Sequence, residues 1–309
     1  MKLGLAGIVK NEADTLLEWI AYHRVIGIDS FFIADNDSTD GTREILAALS
    51  SHGMAETIDV PTLPGRKPQM PAYSALLGLA RGKCDVLAFI DADEFLLPTD
   101  GADTLRPLVE KIFSDPQVSA LALNWANFGS AGAVFIEDGL VIDRFTKRAR
   151  REFGVHYHYK TLVRPECGQS FANPHHVRLN AGRYVTALGT EVVPHAKHGD
   201  GLSDKVVWEG ARINHYATKS LEEFLVGKSR RGSASKEGRI KHKRYFLSHD
   251  RNDEECLLAQ RFSESTKAEL DRLSALIAPQ MESYVQARRH NTPGLLGWIE
   301  RKLARTGTA

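Results

Sequence analysis

Residues 1–90 alternate short apolar runs with segments of helical spacing. Apolar runs bounded by loop residues predict strands at 3–9, 30–34, 56–60 and 86–90. Apolar residues three or four positions apart predict helices at 13–25, 42–49 and 71–81. Near-continuous apolar strands that alternate with helices are typical of a mostly parallel sheet covered on both faces. We therefore predict an α/β fold for this part of the chain.

The pattern changes in the middle of the chain and again after residue 219. Strand-like pieces among Gly, His and Asn predict antiparallel strands and long loops, at 118–123, 140–145, 159–164 and 183–185. Ser220 and Glu223 have the spacing of a capping box and predict a helix start. A second helix is expected from about 253 towards 289. We predict an α/β domain at 1–219 and a helical C-terminal extension at 220–309 packed on it.

Composition narrows the class of protein. The chain has 309 residues, 42% hydrophobic and 26% charged, with a formal net charge of +1. Nucleic-acid binders usually carry a clear basic excess, so we expect no nucleic-acid partner. The three cysteines are far apart and form no CxxC pair, which argues against a disulfide framework or structural zinc and fits a reducing cytosol.

Hydropathy predicts a soluble protein, which together with the cysteine pattern indicates the cytoplasm, and it leaves contact with the inner face of the membrane open. No apolar run approaches the ~20 residues that span a bilayer, and no signal-peptide pattern is present. Residues 295–305 form a short amphipathic basic segment that fits peripheral membrane contact. Packing on the domain or on another subunit explains that segment equally well.

The sharpest chemical feature is an acidic cluster at the end of the 86–90 strand. Asp91, Asp93 and Glu94 place three carboxylates within four residues. Their mutual repulsion raises their pKa values unless a cation neutralises them. Mg²⁺ and Mn²⁺ suit such oxygen ligands and commonly bridge carboxylates to substrate phosphates. The alternative is a solvated acidic turn.

Two more polar clusters follow predicted strands, at 10–14 and 35–40. Ligands bind beyond the carboxyl ends of strands in such sheets, so the three clusters are expected along one edge. Asp35 and Asp37 have the chemistry to accept hydrogen bonds from a ribose or a base, whereas Asp40 suits a helix cap equally well. No GxGxxG follows the first strand, so the dinucleotide fingerprint is absent.

Three runs together resemble the family 2-like glycosyltransferases with a GT-A, Rossmann-like fold: GIVKNEADTLLEWIAYHRVIGID, FFIADNDSTDGT and VLAFIDADEF. Later segments are similar to glycosyltransferase family 92 and its bacterial relatives: NWANFGSAG, LVIDRFT, YKTLVRP and INHYATKSLEEFLVGKSRRG. The resemblance runs in order through about residues 3–232 and fades after about 240. It implies that 1–219 is a GT-A catalytic domain.

The resemblance also implies roles for individual residues. Asp91 and Asp93, with Ala92 between them, match the DxD motif that holds a metal and the donor diphosphate. The positions expected to line the donor site are Lys10, Asn11, Glu12, Asp35, Asn36, Asp37, Gln69, Tyr73 and Lys219. His215 matches a late histidine on the metal or diphosphate, and His176 is the second candidate ligand. Imidazole suits Mn²⁺ better than Mg²⁺.

An inverting transfer needs a carboxylate base to deprotonate the acceptor hydroxyl. We name Asp138 and Glu94 as candidates, with Glu137 and Asp143 as alternatives. The polar loop at 127–132 is assigned to the acceptor site as a flexible segment. The basic run at 228–244 is either a solvated surface or an anion site.

The sequence thus predicts a transferase that uses Mn²⁺ or Mg²⁺ and moves a sugar from a nucleotide-sugar donor, with UDP-sugars favoured, to a glycan or lipid-linked acceptor. A non-catalytic homologue that binds nucleotide or sugar is the alternative. A phosphotransferase of the haloacid-dehalogenase kind also uses DxD after an apolar strand, but its motif lies near the N-terminus, whereas Asp91 lies mid-chain.

Overall fold

The computed structural model of the chain describes residues 1–231 and 241–288. Its first seven elements confirm the predicted alternation of strand and helix: β1 (Leu3–Val9), α1 (Leu16–Val25), β2 (Ser30–Asp35), α2 (Thr42–Ser51), β3 (Glu56–Asp59), α3 (Gln69–Ala80) and β4 (Val86–Phe89). Every residue of β1 and β4 is buried, as their continuous apolar runs require.

Shorter elements fill the middle of the chain. They are β5 (Glu94–Pro98), α4 (Arg106–Phe113), β6 (Val118–Asn127), α5 (Val141–Arg144), β7 (Lys147–Arg148), β8 (Tyr159–Val163), β9 (Gly168–Asn173), β10 (His176–Leu179), β11 (Arg183–Thr186), β12 (Pro194–His195), β13 (Gly199–Ser203) and β14 (Ala211–His215). The later elements are α6 (Leu221–Glu223), a π-helical turn (Phe224–Lys228), α7 (Ser229–Arg231), α8 (Lys243–His249), β15 (Glu254–Glu255) and α9 (Ser263–Arg288).

Within the described residues, nine strands form one sheet in the order β3-β2-β1-β4-β8-β6-β14-β5, with β11 paired to β6. Strands β3, β2, β1 and β4 run parallel to one another. Strand β8 is antiparallel to both of its neighbours, β4 and β6. Strand β14 is parallel to β6 and antiparallel to β5. The predicted α/β class, a mostly parallel sheet with a smaller antiparallel part, is confirmed.

Helices cover both faces of the sheet. On one face, α3 packs Tyr73, Leu76 and Leu77 against β1, β2 and β4. On the other face, the core contains α1, α2, α4 and the described part of α9. Leu273 and Ile277 of α9 are buried in that core, and Arg24 of α1 lies 2.5 Å from Glu269. The described part of the C-terminal region therefore completes the core of the α/β part.

Two expected elements were wrong. Residues 140–145 form the short helix α5, because the carbonyl of Leu140 accepts the N–H groups of Asp143 and Arg144 at 3.0 Å. The N–H of Val141 donates to Glu18 at 2.6 Å. A short apolar run does not distinguish a buried strand from a buried helical turn. The last helix starts at Ser263 rather than near 253, since Glu254 and Glu255 pair with β7.

The boundary between 1–219 and 220–309 stays a prediction, and the expected amphipathic segment at 295–305 lies outside the described residues. The helices at 1–231 and 241–288 include none that is both long and apolar enough to cross a bilayer. The capping box at Ser220 is present: its hydroxyl accepts the N–H of Glu223 at 3.2 Å, and Glu223 accepts the N–H of Ser220 at 3.1 Å.

Candidate functional site: a cleft at the edge of the sheet

One large cleft of about 1170 Å³ opens at the carboxyl edge of β1, β2 and β4. Its floor is formed by the loops that follow these strands. Its walls come from 136–140, from 216–228 and from the inner side of α9. Ligands bind at this edge of a parallel sheet because strand ends and loop backbone meet there. The site candidates that line the cleft are Lys10, Asn11, Glu12, Asn36, Gln69, Asp91, Ala92, Asp93, Glu137, Asp138 and Lys219.

The loop after β1 is held against the loop after β2. Asn11 adopts a left-handed backbone conformation (φ 54°), and its N–H donates to Ser38 at 2.9 Å. The side-chain oxygen of Asn11 accepts the N–H of Thr39 at 2.8 Å. The next amide, of Glu12, donates to Thr42 at 2.8 Å. The positions that carry Lys10 and Glu12 are thereby fixed at the cleft.

Of the three expected positions after β2, Asn36 alone lines the cleft. Its side-chain amide donates to the carbonyl of Val60 at 2.8 Å and to Thr62 at 3.0 Å. Asp35 is 2% exposed and pairs with Arg43 at 2.9 Å, so it braces the start of α2. Asp37 turns towards the neighbouring loop and accepts the N–H of Thr62 at 2.7 Å, which lowers its pKa.

Asp40 has the structural role that the sequence left open. Its carboxylate accepts the N–H of Thr42 at 3.0 Å and the Thr42 hydroxyl at 2.6 Å. Its other oxygen accepts the N–H of Ala13 at 3.0 Å. Asp40 therefore joins the loops after β1 and β2 and caps α2.

Asp91 is positioned by three side chains. Gln69 and Tyr73 donate to its Oδ1 at 3.1 and 3.0 Å, and Nζ of Lys160 donates to its Oδ2 at 2.9 Å. Tyr73 is fully buried, so it supports Asp91 from behind rather than facing the donor as the resemblance implied. Gln69, by contrast, lines the cleft as the resemblance implied, and it also donates a hydrogen bond to Asp91.

Lys160 is a charged residue of the site that the sequence analysis missed. It lies on β8 with no exposed surface, 3.4 Å from the equally buried Glu94. Burial would lower the pKa of Lys160, but the carboxylates of Asp91 and Glu94 hold it well above its usual value. Burial raises the pKa of Glu94 well above its usual range. A lysine within the strand-forming run YKTLV is the one sequence signal that could have drawn attention to it.

Glu94 lies beneath the cleft. Its carboxylate accepts the N–H of Asp91 at 3.0 Å and has no exposed surface. A general base must reach the acceptor's hydroxyl within hydrogen-bond distance. Glu94 therefore shapes the acidic turn from below. The better-placed candidate bases are Asp138 and its neighbour Glu137, which are both exposed and line the cleft.

Asp93 pairs with two cationic or potentially cationic side chains. Its Oδ2 forms a short ion pair with Nζ of Lys228 and lies 3.6 Å from Nε2 of His215. Burial would raise the pKa of Asp93, yet Lys228 and His215 hold it well below its ordinary value. His215 reaches this position because β14 pairs with β5, which places it directly opposite Glu94.

The residues at this turn fit a divalent cation. One ligand atom each from Asp93, Glu94 and His215 lies within 4.8 Å of the other two. Among the described residues, Oε1 of Glu94 and Nδ1 of His215 are buried without a hydrogen-bond partner. Carboxylate and imidazole donors together suit Mn²⁺. Asp91 adjoins this group, with its oxygens directed to Gln69, Tyr73 and Lys160.

The structure places His176 in a separate group. Its Nδ1 lies 2.7 Å from the Tyr159 hydroxyl, its Nε2 lies 3.9 Å from Asp200, and its ring stacks on Tyr184. The expected role of His176 as a ligand beside Asp91 and Asp93 therefore has no support from this arrangement.

Asp138 lies on an exposed loop that forms one wall of the cleft. The loop is anchored where the N–H of Ile136 donates to Glu222 at 2.8 Å. Asp143 points elsewhere, towards Ser263 and Lys267. Lys219, with φ 51°, reaches across the cleft and donates to Thr15 at 3.2 Å.

The loop at 127–132 is not the flexible acceptor loop that we expected. Asn127, Phe128 and Ser130 are buried. The N–H of Ser130 donates to Asp250 at 2.6 Å, and that of Ala131 donates to Asn252 at 2.7 Å. The polar side chains of the loop are also bonded internally: the amide of Asn127 donates to the carbonyl of His249 at 2.7 Å, and the hydroxyl of Ser130 accepts the N–H of Gly132 at 3.1 Å. The loop does not line the cleft.

Comparison with known proteins adds to this geometry. The model of glycosyltransferase family 92 matches residues 5–271. The chain belongs to glycosyltransferase family 92. A family 92 protein of Oryza sativa subsp. japonica is 30% identical over 71% of the chain and 37% of its own length. One from Arabidopsis thaliana is 29% identical over 67% of the chain and 36% of its own length. The chain thus spans little more than a third of these family 92 relatives.

Two solved structures are more distantly similar. TarS of S. aureus, solved with UDP, is 15% identical over 54% of the chain and 48% of its own, with a TM-score of 0.35. Glucosyl-3-phosphoglycerate synthase of Mycobacterium tuberculosis is 18% identical over 60% of the chain and 70% of its own, with a TM-score of 0.33. At such scores the family 92 assignment rests on the family model and the curated relatives.

Proposed function

We propose that this chain transfers a sugar from a nucleoside-diphosphate sugar to a hydroxyl acceptor, with inversion and with Mn²⁺ or Mg²⁺ as cofactor. UDP-sugars are the first donors to test, and a glycan or a lipid-linked saccharide is the proposed acceptor. Membership of family 92 supports the reaction class. The observation that carries the proposal is the grouping of Asp93, which lines a cleft rich in lysines, with the buried Glu94 and His215 next to it.

The charges of the cleft suit a diphosphate. Lysines line it on several sides, at Lys10, Lys67, Lys219, Lys228 and Lys241. Cationic side chains that converge on one cavity stabilise the negative charge of a leaving diphosphate. A divalent cation held by Asp93 and His215, with Asp91 beside them, would supply further Lewis-acid neutralisation of that charge.

Asp138 is the proposed base. In the transfer, the acceptor oxygen bonds to the anomeric carbon of the donor sugar while the bond from that carbon to the diphosphate oxygen breaks. The hydroxyl proton goes to the carboxylate of Asp138, and the electron pair leaves with the diphosphate. The exposed position of Asp138 on the cleft wall allows this contact, whereas the burial of Glu94 does not.

The nucleotide is proposed to lie over the loops after β1 and β2. Asn36 and Asn11 line this end of the cleft, and their amides are held by neighbouring loop residues. Amides that are fixed before binding lose little entropy when they contact a ligand. Lys10 lies beside them, on the floor of the cleft.

Thermal unfolding with a panel of nucleoside diphosphates, with and without Mn²⁺, tests the proposal. A ligand that binds only the folded state raises the unfolding temperature. We expect one nucleotide to stabilise the protein in a Mn²⁺-dependent manner, and Asp93→Asn to fold but lose that dependence. The absence of any shift from a well-folded sample would contradict the donor site.

The second candidate is a non-catalytic homologue that retains the donor site. It predicts the same Mn²⁺-dependent nucleotide binding without hydrolysis or transfer of a donor sugar. Asp138→Asn separates the two functions. In a transferase it removes the turnover of the wild type and keeps nucleotide binding. In a binding protein the wild type has no turnover, and the variant binds the nucleotide as the wild type does.

A further inference from the structure

Lys228 places an ammonium group where the candidate cation ligands converge. Its Nζ forms a short ion pair with Oδ2 of Asp93, and Nε2 of His215 lies 3.6 Å from the same oxygen. The side chains of Lys228 and Asp93 are 18% and 17% exposed. A lysine ammonium and a divalent cation that share one carboxylate oxygen repel each other strongly at such low exposure.

The two aspartates of the turn therefore have lysine partners of different kinds. Lys160, the partner of Asp91, is enclosed on the central strand β8 with no exposed surface. Lys228, the partner of Asp93, ends the π-helical turn Phe224–Lys228 and lines the open cleft. Single π-turns within helices are frequent at functional sites. Of the two ammonium groups, that of Lys228 has room to move.

Positive charge is in excess around Lys228. Lys241 lies beside it, and their Nζ atoms lie 5.6 and 4.9 Å from the centre of the Tyr245 ring. Burial and the charge of Lys228 lower the pKa of Lys241 to about 7. Asp93 offers one negative charge to two amines, so a second anion at this wall would be stabilised. The cleft is large enough to bring a diphosphate there.

We infer that Lys228 is a positioning residue whose ammonium exchanges between Asp93 and the diphosphate of the donor. This inference rests on the proposed donor site. In the donor-free protein, Lys228 neutralises Asp93 and competes with a divalent cation for the same oxygen. When a diphosphate is bound, Lys228 contacts it instead, and Asp93 is left open to the cation. Binding of the cation and of the nucleotide thus favour each other.

Calorimetric titration with Mn²⁺ alone, and then with a nucleoside diphosphate at saturating Mn²⁺, tests this exchange. For Lys228→Met we expect Mn²⁺ to bind about tenfold more tightly without nucleotide, and the nucleotide to bind about tenfold more weakly. Lys228→Arg keeps the charge and should retain the low Mn²⁺ affinity of the wild type. Lys83→Met, which changes an exposed lysine paired with Glu56 outside the cleft, should alter neither affinity.

Lys228→Met that shows a normal unfolding transition but binds Mn²⁺ no more tightly than the wild type would overturn the inference. The same holds if neither protein binds Mn²⁺. If no nucleoside diphosphate binds the wild type, the proposed function and the diphosphate half of the exchange both fail. Tighter Mn²⁺ binding by Lys228→Met would then still establish the competition at Asp93.

Discussion

Nζ of Lys160 lies 2.9 Å from Oδ2 of Asp91, so a lysine with no exposed surface supports the first carboxylate of the acidic turn. Lys160 also lies 3.4 Å from the buried Glu94. Its ammonium is thus the positive charge that lets Asp91 and Glu94 adjoin Asp93 in one short turn. Charge pairs in the interior depend strongly on both partners being present.

Lys160→Met should lower the free energy of unfolding by about 3 kcal/mol, because it leaves the buried Glu94 and the partly exposed Asp91 without their cation. Lys83→Met is the matched control: it removes a surface ion pair with Glu56 and should cost less than about 1 kcal/mol. Urea unfolding of both variants measures the difference. Equal losses would show that Lys160 contributes no more than a surface lysine.

His215 and His176 can be distinguished by their effect on Mn²⁺. His215→Gln removes an imidazole that lies 3.6 Å from Asp93, and should weaken Mn²⁺-dependent nucleotide stabilisation roughly tenfold or more. His176→Gln should leave the Mn²⁺-dependent stabilisation unchanged, because His176 is hydrogen-bonded to Tyr159 in a separate group of residues. The measurement is the Mn²⁺ concentration at half-maximal thermal shift. A larger effect from His176 would reverse the assignment.

The buried His23 should make the protein sensitive to mild acid. Burial lowers its pKa to about 3, and its two ring nitrogens are hydrogen-bonded to Trp19 and to the N–H of Leu96. The unfolded chain takes up this proton near pH 6.5, whereas the folded protein does not. The stability from His23 is therefore present above pH 6.5 and falls by about 1.4 kcal/mol per pH unit towards pH 3.

His23→Gln tests that dependence, since it removes the titrating ring. The slope of unfolding free energy between pH 6 and 5 should be smaller than in the wild type by about 1.4 kcal/mol per pH unit. Replacement of the exposed His198 by Gln serves as the control. A variant slope that matches the wild type would assign the acid sensitivity to other groups.

Two glycines should respond to alanine in opposite directions. A Cβ on Gly129 would lie 2.6 Å from the carbonyl oxygen of Arg251 and 2.4 Å from Oδ1 of Asn252, so Gly129→Ala must displace the loop at 127–132. We expect a loss of about 2 kcal/mol. Gly78 lies on the exposed side of α3 with nothing near its Cβ, and Gly78→Ala should gain about 0.5–1 kcal/mol. Thermal unfolding of both variants measures these changes, and a stabilised Gly129→Ala would contradict the packing of this loop.

The parts of the fold that local patterns specify could be predicted from the sequence. The elements from β1 to β4 were confirmed because each apolar run is long enough for one element and ends at loop residues. The run at 140–145 was assigned wrongly because its helical turn depends on Glu18, which lies far away in the chain. Tertiary contacts of this kind leave no periodic trace in a short segment.

The candidate site likewise contains residues that the local sequence identifies and residues that only the tertiary structure identifies. Asp91 and Asp93 were identifiable because the acidic turn is local and follows a buried strand. Tyr73 was expected at the donor, but the side of α3 that faces β4 is set by packing on the whole sheet. Lys160 was missed because its role arises from the pairing of β8 beside β4. Which strands become neighbours is a property of topology and not of local sequence.

The position of β14 between β6 and β5 has a consequence for synthesis of the chain. Strands β5 and β6 are made early. Among the described residues, β14 is the strand that pairs with β5, and it also pairs with 125–127 of β6, while β11 pairs with 118–122 of β6. Open strand edges are templates for pairing with other chains. Until residues 211–215 leave the ribosome, the nascent protein therefore exposes two apolar edges, and the acidic turn at Asp93 has no imidazole beside it. Non-local strand insertion of this kind slows folding, so the same step that assembles the site also ends the period of greatest risk of aggregation.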